Sequence, residues 1–240
     1  MLGTLFGIGV GPGDPELLTI KAARILKEVS HVFAASSSKN DYSLAYSIVS
    51  QHLREGATVE QLAFPMTFKA EQLENAWRAN CEKVSAILEQ GQNVAFLTLG
   101  DPLIYSTFAY LMRKVRNRFP QVNITVVPAI TSFQAAAACA REPLVEGEET
   151  LTIVSGAKGT NRLAGAIDMA ENVVIMKTYK HFPQILGKLR EEGLEERFCF
   201  VSRCGLEGQI VEHDFTRLAA MEEPPNYLSL MIIKKNGMCK

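Results

Sequence analysis

The sequence predicts an α/β fold in two lobes, with a mainly parallel sheet in the N-terminal lobe and a mixed sheet in the C-terminal one. Three observations carry the prediction. Short apolar runs of strand length alternate with helix-length patterns through the first half. Such a βα array implies a parallel sheet covered by helices on both faces. The last stretch of chain is rich in strands, which breaks the alternation and mixes strand directions.

Element by element, Leu5–Val10 reads as a strand and Pro15–Glu28 as a helix, followed by a strand at His31–Ala35. Tyr42–Leu53 has a helical pattern, and Val59–Leu62 forms a short strand. Ala70–Glu89 is a long amphipathic helix closed by Gly91, and Val94–Leu99 is a strand of the fully buried kind. Ser106–Phe119 is helical until Pro120. The second half restarts with strand Ile124–Val127 and a small-residue helix at Ser132–Ala140. Strands follow at Leu151–Val154, Val173–Lys177, Phe198–Ser202 and Tyr227–Lys234, with a short hairpin strand at Gln209–His213. Helices near Thr160–Met169 and Pro183–Glu192 lie between them. The turn Phe119-Pro120-Gln121 is the expected boundary, giving lobes at 1–119 and 120–240, and no internal repeat is visible.

Bulk properties narrow the function. The chain has 240 residues and a net charge of −1, so no global field draws it to nucleic acid or an anionic membrane. No apolar run approaches the roughly 20 residues that span a bilayer, and the start, MLGTLFGIGVGPGD, lacks the basic region of a signal peptide. Five scattered cysteines without a CxxC pair suggest reduced thiols in a cytoplasmic protein. The histidines His31, His52, His181 and His213 form no metal-binding pair, so no metal site is expected.

The glycine loop after the first strand looks like a nucleotide turn. Its spacing is GxGxGxG, with glycines at 7, 9, 11 and 13, and no register yields GxGxxG. A dinucleotide site also needs an acidic residue at the end of the second strand, where His31-Val-Phe-Ala-Ala-Ser36 ends in alanine and serine. Asp14, Pro15 and Glu16 form a strong helix start whose carboxylates would repel a pyrophosphate. The loop is therefore expected to approach a ligand without gripping phosphate; a plain tight turn is the alternative. A second loop, GDPLIYSTF from Gly100, follows the fourth strand, and a third, VPAITSFQAAAA from Val127, follows the next. In an open α/β sheet ligands bind beyond the carboxyl ends of strands, so these loops should share a rim. Asp101 alone could simply cap the following helix.

Together the three loops resemble the tetrapyrrole methylase family, S-adenosylmethionine methyltransferases that act on uroporphyrinogen, precorrins and cobalt-precorrins. GVGPGDPELLTIKA is similar to the family's first loop, GDPLIYSTF to its second and VPAITSFQAAAA to its third, and the resemblance covers essentially the whole chain. The -YST- after GDP and the SFQAAAA stretch look most like the C20-methyltransferases of precorrin-2 or cobalt-factor II. The resemblance implies two α/β lobes with a cleft between them, a homodimer, and S-adenosylmethionine as the cofactor, released as S-adenosylhomocysteine. It assigns cofactor binding to Pro12, Gly100, Asp101, Ile104, Thr131 and Ser132, and further to Met176, Lys177 and Cys204. Met176 as an ordinary strand residue and Cys204 as an inert buried thiol are the alternatives.

Catalysis would rest on alignment, because charge disperses as a sulfonium methyl is transferred. Asp101 is the candidate for orienting the substrate or assisting proton transfer, with Tyr105 second. A substrate with eight carboxylates calls for basic side chains, the candidates being Lys39, Lys69, Arg113, Arg162, Lys177 and Lys180. The run Arg113–Arg118 also reads as a solvated helix end. The family commonly has glycine where Ala129 stands; if that position needs positive φ, alanine costs roughly 1 kcal/mol. Competing readings are action at another ring carbon of uroporphyrinogen or a later precorrin, a tetrapyrrole carrier, and an NAD(P)-dependent reductase. The expected substrate is either metal-free precorrin-2 or cobalt-factor II, which already holds cobalt.

Overall fold

The structure, a computed structural model, describes residues 1–36, 44–65 and 69–238, with backbone alone at Ala70 and Lys158. Lys39, the Tyr42 start of a predicted helix, and Cys239 lie outside the described residues. The chain divides into two compact units, Met1–Thr131 and Ser132–Lys240.

In the first unit the elements run β1 (Leu5–Gly9), α1 (Ile20–Leu26), β2 (His31–Ser36), α2 (Leu44–Val49), β3 (Thr58–Ala63), α3 (Ala70–Glu89), β4 (Val94–Thr98), α4 (Phe108–Arg118) and β5 (Ile124–Val127). The sheet order is β3-β2-β4-β1-β5, and every pairing is parallel. Alternation along β4 shows how the sequence covers both faces. Ala95 and Leu97 join a core with residues of α1 and α2, including Ile25 and Ile48, while Val94 and Phe96 join one with residues of α3 and α4, including Val84 and Leu111.

Two expectations are corrected here. The strand Ile124–Val127 does not open the second lobe; it pairs with β1, Leu5 opposite Ile124 and Ile8 opposite Val127, and completes the first sheet. The boundary consequently falls after Thr131 and not at Pro120, which only ends α4. A turn signal marks the end of an element but carries no information about which distant strand the next one joins. The predicted helix Pro15–Glu28 is also interrupted. Asp14 caps a single 3-10 turn, Pro15–Leu17, accepting the Glu16 N–H at 2.8 Å, whereas α1 starts later under Thr19, whose Oγ1 accepts the Ala22 N–H at 3.2 Å. Two competing caps lie close together, and the helix follows the second.

The second unit runs α5 (Ser132–Ala140), β6 (Leu151–Ser155), α6 (Leu163–Met169), β7 (Asn172–Met176), α7 (Phe182–Glu191), β8 (Phe198–Ser202), β9 (Ile210–Glu212), α8 (Phe215–Ala219) and β10 (Ser229–Lys234). Its sheet, β6-β7-β10-β8-β9, is mixed: β6 and β7 are parallel, while β10 runs antiparallel to both neighbours, as does β9 to β8. Helices α6, α7 and α8 bury Ile167, Ile185, Leu189 and Leu218 with Val173, Ile175, Phe198, Phe200, Met231 and Ile233. The alanine-rich α5 packs close to β8 and β10, as small side chains permit. The five-residue α8, capped by Asp214, is too short for helical periodicity to show in the sequence.

Candidate functional site

The all-parallel order puts the carboxyl ends of β4, β1 and β5 side by side, so the loops that follow them meet. Backbone makes the first junction. The Gly100 N–H donates to the Gly11 carbonyl at 2.7 Å, forming an isolated bridge between the first and second loops, and the Val10 N–H donates to the Thr98 carbonyl at 3.0 Å. Gly11 and Gly100 have φ of 83° and 69°, a region that side-chain-bearing residues disfavour.

The alternating glycines have separate duties. A Cβ on Gly7 would stand 2.2 Å from the Phe108 ring, so its absence seats the first residue of α4 against β1. A Cβ on Gly9 would stand 2.6 Å from the Ala129 Cβ, 2.7 Å from the Gly100 oxygen and 2.9 Å from the Pro102 Cδ. All three loops therefore touch at Gly9. This position was missed as a keystone because the spacing of glycines does not say what each of them faces.

Asp101 makes the third junction. Its Oδ1 accepts the Leu103 N–H at 2.9 Å, the local capping role, and its Oδ2 accepts the Ala129 N–H at 3.1 Å. The carboxylate thus ties the second loop to the third. Ala129 itself is not among the residues with positive φ, so the cost anticipated for alanine there does not arise. Close to this junction Thr98 is 8% exposed, and among the described residues its Oγ1 has no hydrogen-bond partner. Thr98 pairs in register with Gly9, which places both side-chain directions on one face of the sheet.

The expected residues Pro12, Ile104, Tyr105, Thr131 and Ser132 lie within the same three loops. Pro12 is buried, Ile104 is half-buried, and Tyr105 is 49% exposed with a left-handed φ of 49°. Thr131 is buried immediately before α5, and Ser132 is the first residue of that helix. The run Arg113–Arg118 is engaged along α4: Arg113 lies over the Tyr110 ring, Lys114 pairs with Glu74, and Arg118 pairs with Glu89 at 3.4 Å. Lys69 precedes α3 and is exposed.

In the second unit, Met176 ends β7 and Lys177 follows it in the left-handed conformation, φ 59° and ψ 48°. Burial pushes the Lys177 ammonium below the ordinary lysine range. The buried Thr178 and Ser229 hydroxyls hydrogen-bond at 2.7 Å, joining the ends of β7 and β10 beside it. Lys180 lies over the Tyr179 ring, and Arg162 is exposed before α6. Cys204 follows β8, with its Sγ 3.1 Å from that of Cys139 on α5. Among the described residues no group of three His, Cys, Asp or Glu is arranged to hold a metal ion.

A sequence profile of the tetrapyrrole (corrin/porphyrin) methylases matches residues 4–219. The probable cobalt-precorrin-2 C(20)-methyltransferase of Methanocaldococcus jannaschii is 36% identical over 236 residues, 96% of either chain. The precorrin-2 C(20)-methyltransferase of a Sinorhizobium species is 31% identical, covering 97% of this chain and 95% of the relative. The structure of uroporphyrin-III C-methyltransferase from Thermus thermophilus complexed with S-adenosyl homocysteine shares the fold. Its TM-score is 0.69, with 22% identity over 97% of this chain and 98% of that one.

Proposed function

Because the chain belongs to the tetrapyrrole methylase family, we propose that it uses S-adenosylmethionine to methylate C20 of precorrin-2 or cobalt-factor II in cobalamin synthesis. The observation that carries this reading is the convergence of three strand-end loops at Gly9, locked by the Gly11–Gly100 bridge and by Asp101. The residues there suit a sulfonium donor better than a dinucleotide. No α-helix begins at the glycine loop, since α1 starts at Ile20, so there is no dipole end for a pyrophosphate. What the loops offer is glycine backbone, the apolar Pro12 and Ile104, and the hydroxyls of Thr131 and Ser132.

S-adenosylmethionine, when bound, supplies an electrophilic methyl group whose sulfonium charge disperses during transfer. Strong anionic contacts at the sulfonium would hold back such a reaction, so the protein's work is alignment. Pro12, Gly100, Asp101, Ile104 and Thr131 are the proposed cofactor-binding residues of the first unit, with Ser132, Met176, Lys177 and Cys204 those of the second. Asp101, with both oxygens accepting backbone N–H groups, is suited first to holding the loops in register and orienting the substrate. Tyr105 is the secondary candidate for touching the substrate, supported by its exposure beside the GDP turn. Lys177 and Lys180 are proposed to meet carboxylates of the macrocycle. A homodimer in the cytoplasm is the proposed setting, in line with the notion of reduced thiols.

The test is methyl transfer under anaerobic conditions from radiolabelled S-adenosylmethionine to precorrin-2 and to cobalt-factor II, with products analysed by mass spectrometry and the labelled carbon located by NMR. Label at C20 of either macrocycle is expected, and the faster substrate identifies the metal state. Label at another ring carbon, or tight NADH binding without methyl transfer, would overturn the proposal.

A further inference from the structure

Outside the three loops, one pair of reactive side chains stands out. Cys139, next to the last residue of α5, is exposed, and Cys204 lies in the turn after β8; their sulfurs are 3.1 Å apart. The Cys139 thiol also donates to Gln209 Oε1 at 3.4 Å, and the same oxygen accepts the Gly205 N–H at 2.8 Å. Gln209 therefore ties the helix end to the turn that carries Cys204. That turn is braced by its own backbone, with the Arg203 Nε–H donating to the Glu207 carbonyl at 2.7 Å. Two thiols held on braced elements need roughly 1 Å of movement to reach the bonded S–S distance of about 2.05 Å.

The other described cysteines are shielded from this chemistry. Cys81 is 6% exposed, and burial pushes the Cys199 thiol up to about 12. We propose that Cys139 and Cys204 form a reversible intramolecular disulfide, a modification site reactive toward low-molecular-weight disulfides. The exposed Cys139 thiolate attacks one sulfur of the oxidant RSSR, forming a mixed disulfide and releasing RS⁻. The Cys204 thiolate then attacks the Cys139 sulfur and releases the second RS⁻. The protein loses two protons and two electrons, and RSSR is reduced to two RSH. A pair of this kind suits a compartment where disulfides are transient and sensory and not structural. The bond would pin the α5 end to the turn after β8. Where Cys204 takes part in cofactor binding, as proposed above, it would lower the affinity for the cofactor.

The test treats the full-length native protein with oxidised glutathione, then alkylates it and maps its peptides by mass spectrometry. The expected result is loss of two thiols, one cross-linked pair containing Cys139 and Cys204, and full recovery with dithiothreitol. Separate glutathione adducts on the two cysteines, no reaction at either, or a cross-link from Cys139 to Cys239 would overturn the site. Calorimetry with S-adenosylhomocysteine tests the consequence: oxidation weakens binding in the wild type and leaves Cys139→Ser unchanged. Undiminished binding by the cross-linked protein would refute the coupling to the cofactor and leave the disulfide standing. If the reduced protein fails to bind S-adenosylhomocysteine at all, it is the methyltransferase reading that fails.

Discussion

Replacing Gly9 with alanine tests the convergence of the loops most directly. The added methyl carbon would meet the Ala129 Cβ at 2.6 Å, the Gly100 oxygen at 2.7 Å and the Pro102 Cδ at 2.9 Å. Ordinary carbon contacts lie at about 3.5–4.0 Å, so the loops must separate by roughly 1 Å. None of the three obstacles can be moved by a rotamer change, since one is a backbone oxygen, one a ring carbon and one a Cβ fixed by its own backbone. Overpacking of this kind costs about 1–3 kcal/mol. For a chain of this size a loss of about 2 kcal/mol lowers Tm by roughly 4–8 °C. If the displaced loops also hold the cofactor, about 1.4 kcal/mol of the damage appears as a tenfold weaker Kd for S-adenosylhomocysteine. Thermal denaturation and titration calorimetry read the two effects. Adding Ala129→Gly to Gly9→Ala removes the nearest obstacle and leaves the Gly100 and Pro102 contacts, so partial recovery is expected, with clear non-additivity. A Gly9→Ala protein with wild-type Tm and wild-type affinity would show that the loops do not meet as described and that the cofactor site lies elsewhere.

Further outcomes follow from single side chains. Asp101→Asn sets an amide N–H₂ against one of two backbone N–H donors; a loss of about 1–2 kcal/mol and weaker S-adenosylhomocysteine binding are expected, and wild-type melting and binding would refute its role as a tie. Lys177→Gly relieves a left-handed backbone worth about 1 kcal/mol, so stability should hold or rise while KM for the tetrapyrrole increases; an unchanged KM would remove Lys177 from the substrate site. Thr178→Val breaks the buried hydroxyl pair with Ser229 and should cost about 1–2 kcal/mol in denaturant titration, a result that wild-type stability would contradict. Hydrogen bonds from the Thr150 hydroxyl and N–H hold the Glu171 carboxyl at about 2, below its ordinary 4.5. Its contribution is complete above pH 4.5 and lost as pH falls towards 2, so the stability gap between wild type and Glu171→Gln should shrink across that window. A constant gap would show that the carboxylate is not so paired.

Local signals in the sequence determined the element types, the α/β class and the three loops. Apolar periodicity and glycine or proline stops are written within a dozen residues, and α3, β5, α5 and β8 lie at the expected bounds. The family resemblance was legible for the same reason, as each loop is a contiguous string. Tertiary structure alone decided relations between distant residues. That Ile124–Val127 completes the first sheet depends on β1, more than a hundred positions away. That Gly9 is the crowded point depends on where Ala129 and Pro102 come to rest, and that Asp101 reaches the Ala129 N–H depends on β4 and β5 flanking β1. The meeting of Cys139 with Cys204 had no signal in spacing at all. Local propensity acts through neighbours in the chain, whereas pairing partners and close approaches are set by the free energy of burying whole faces together, which no short window contains.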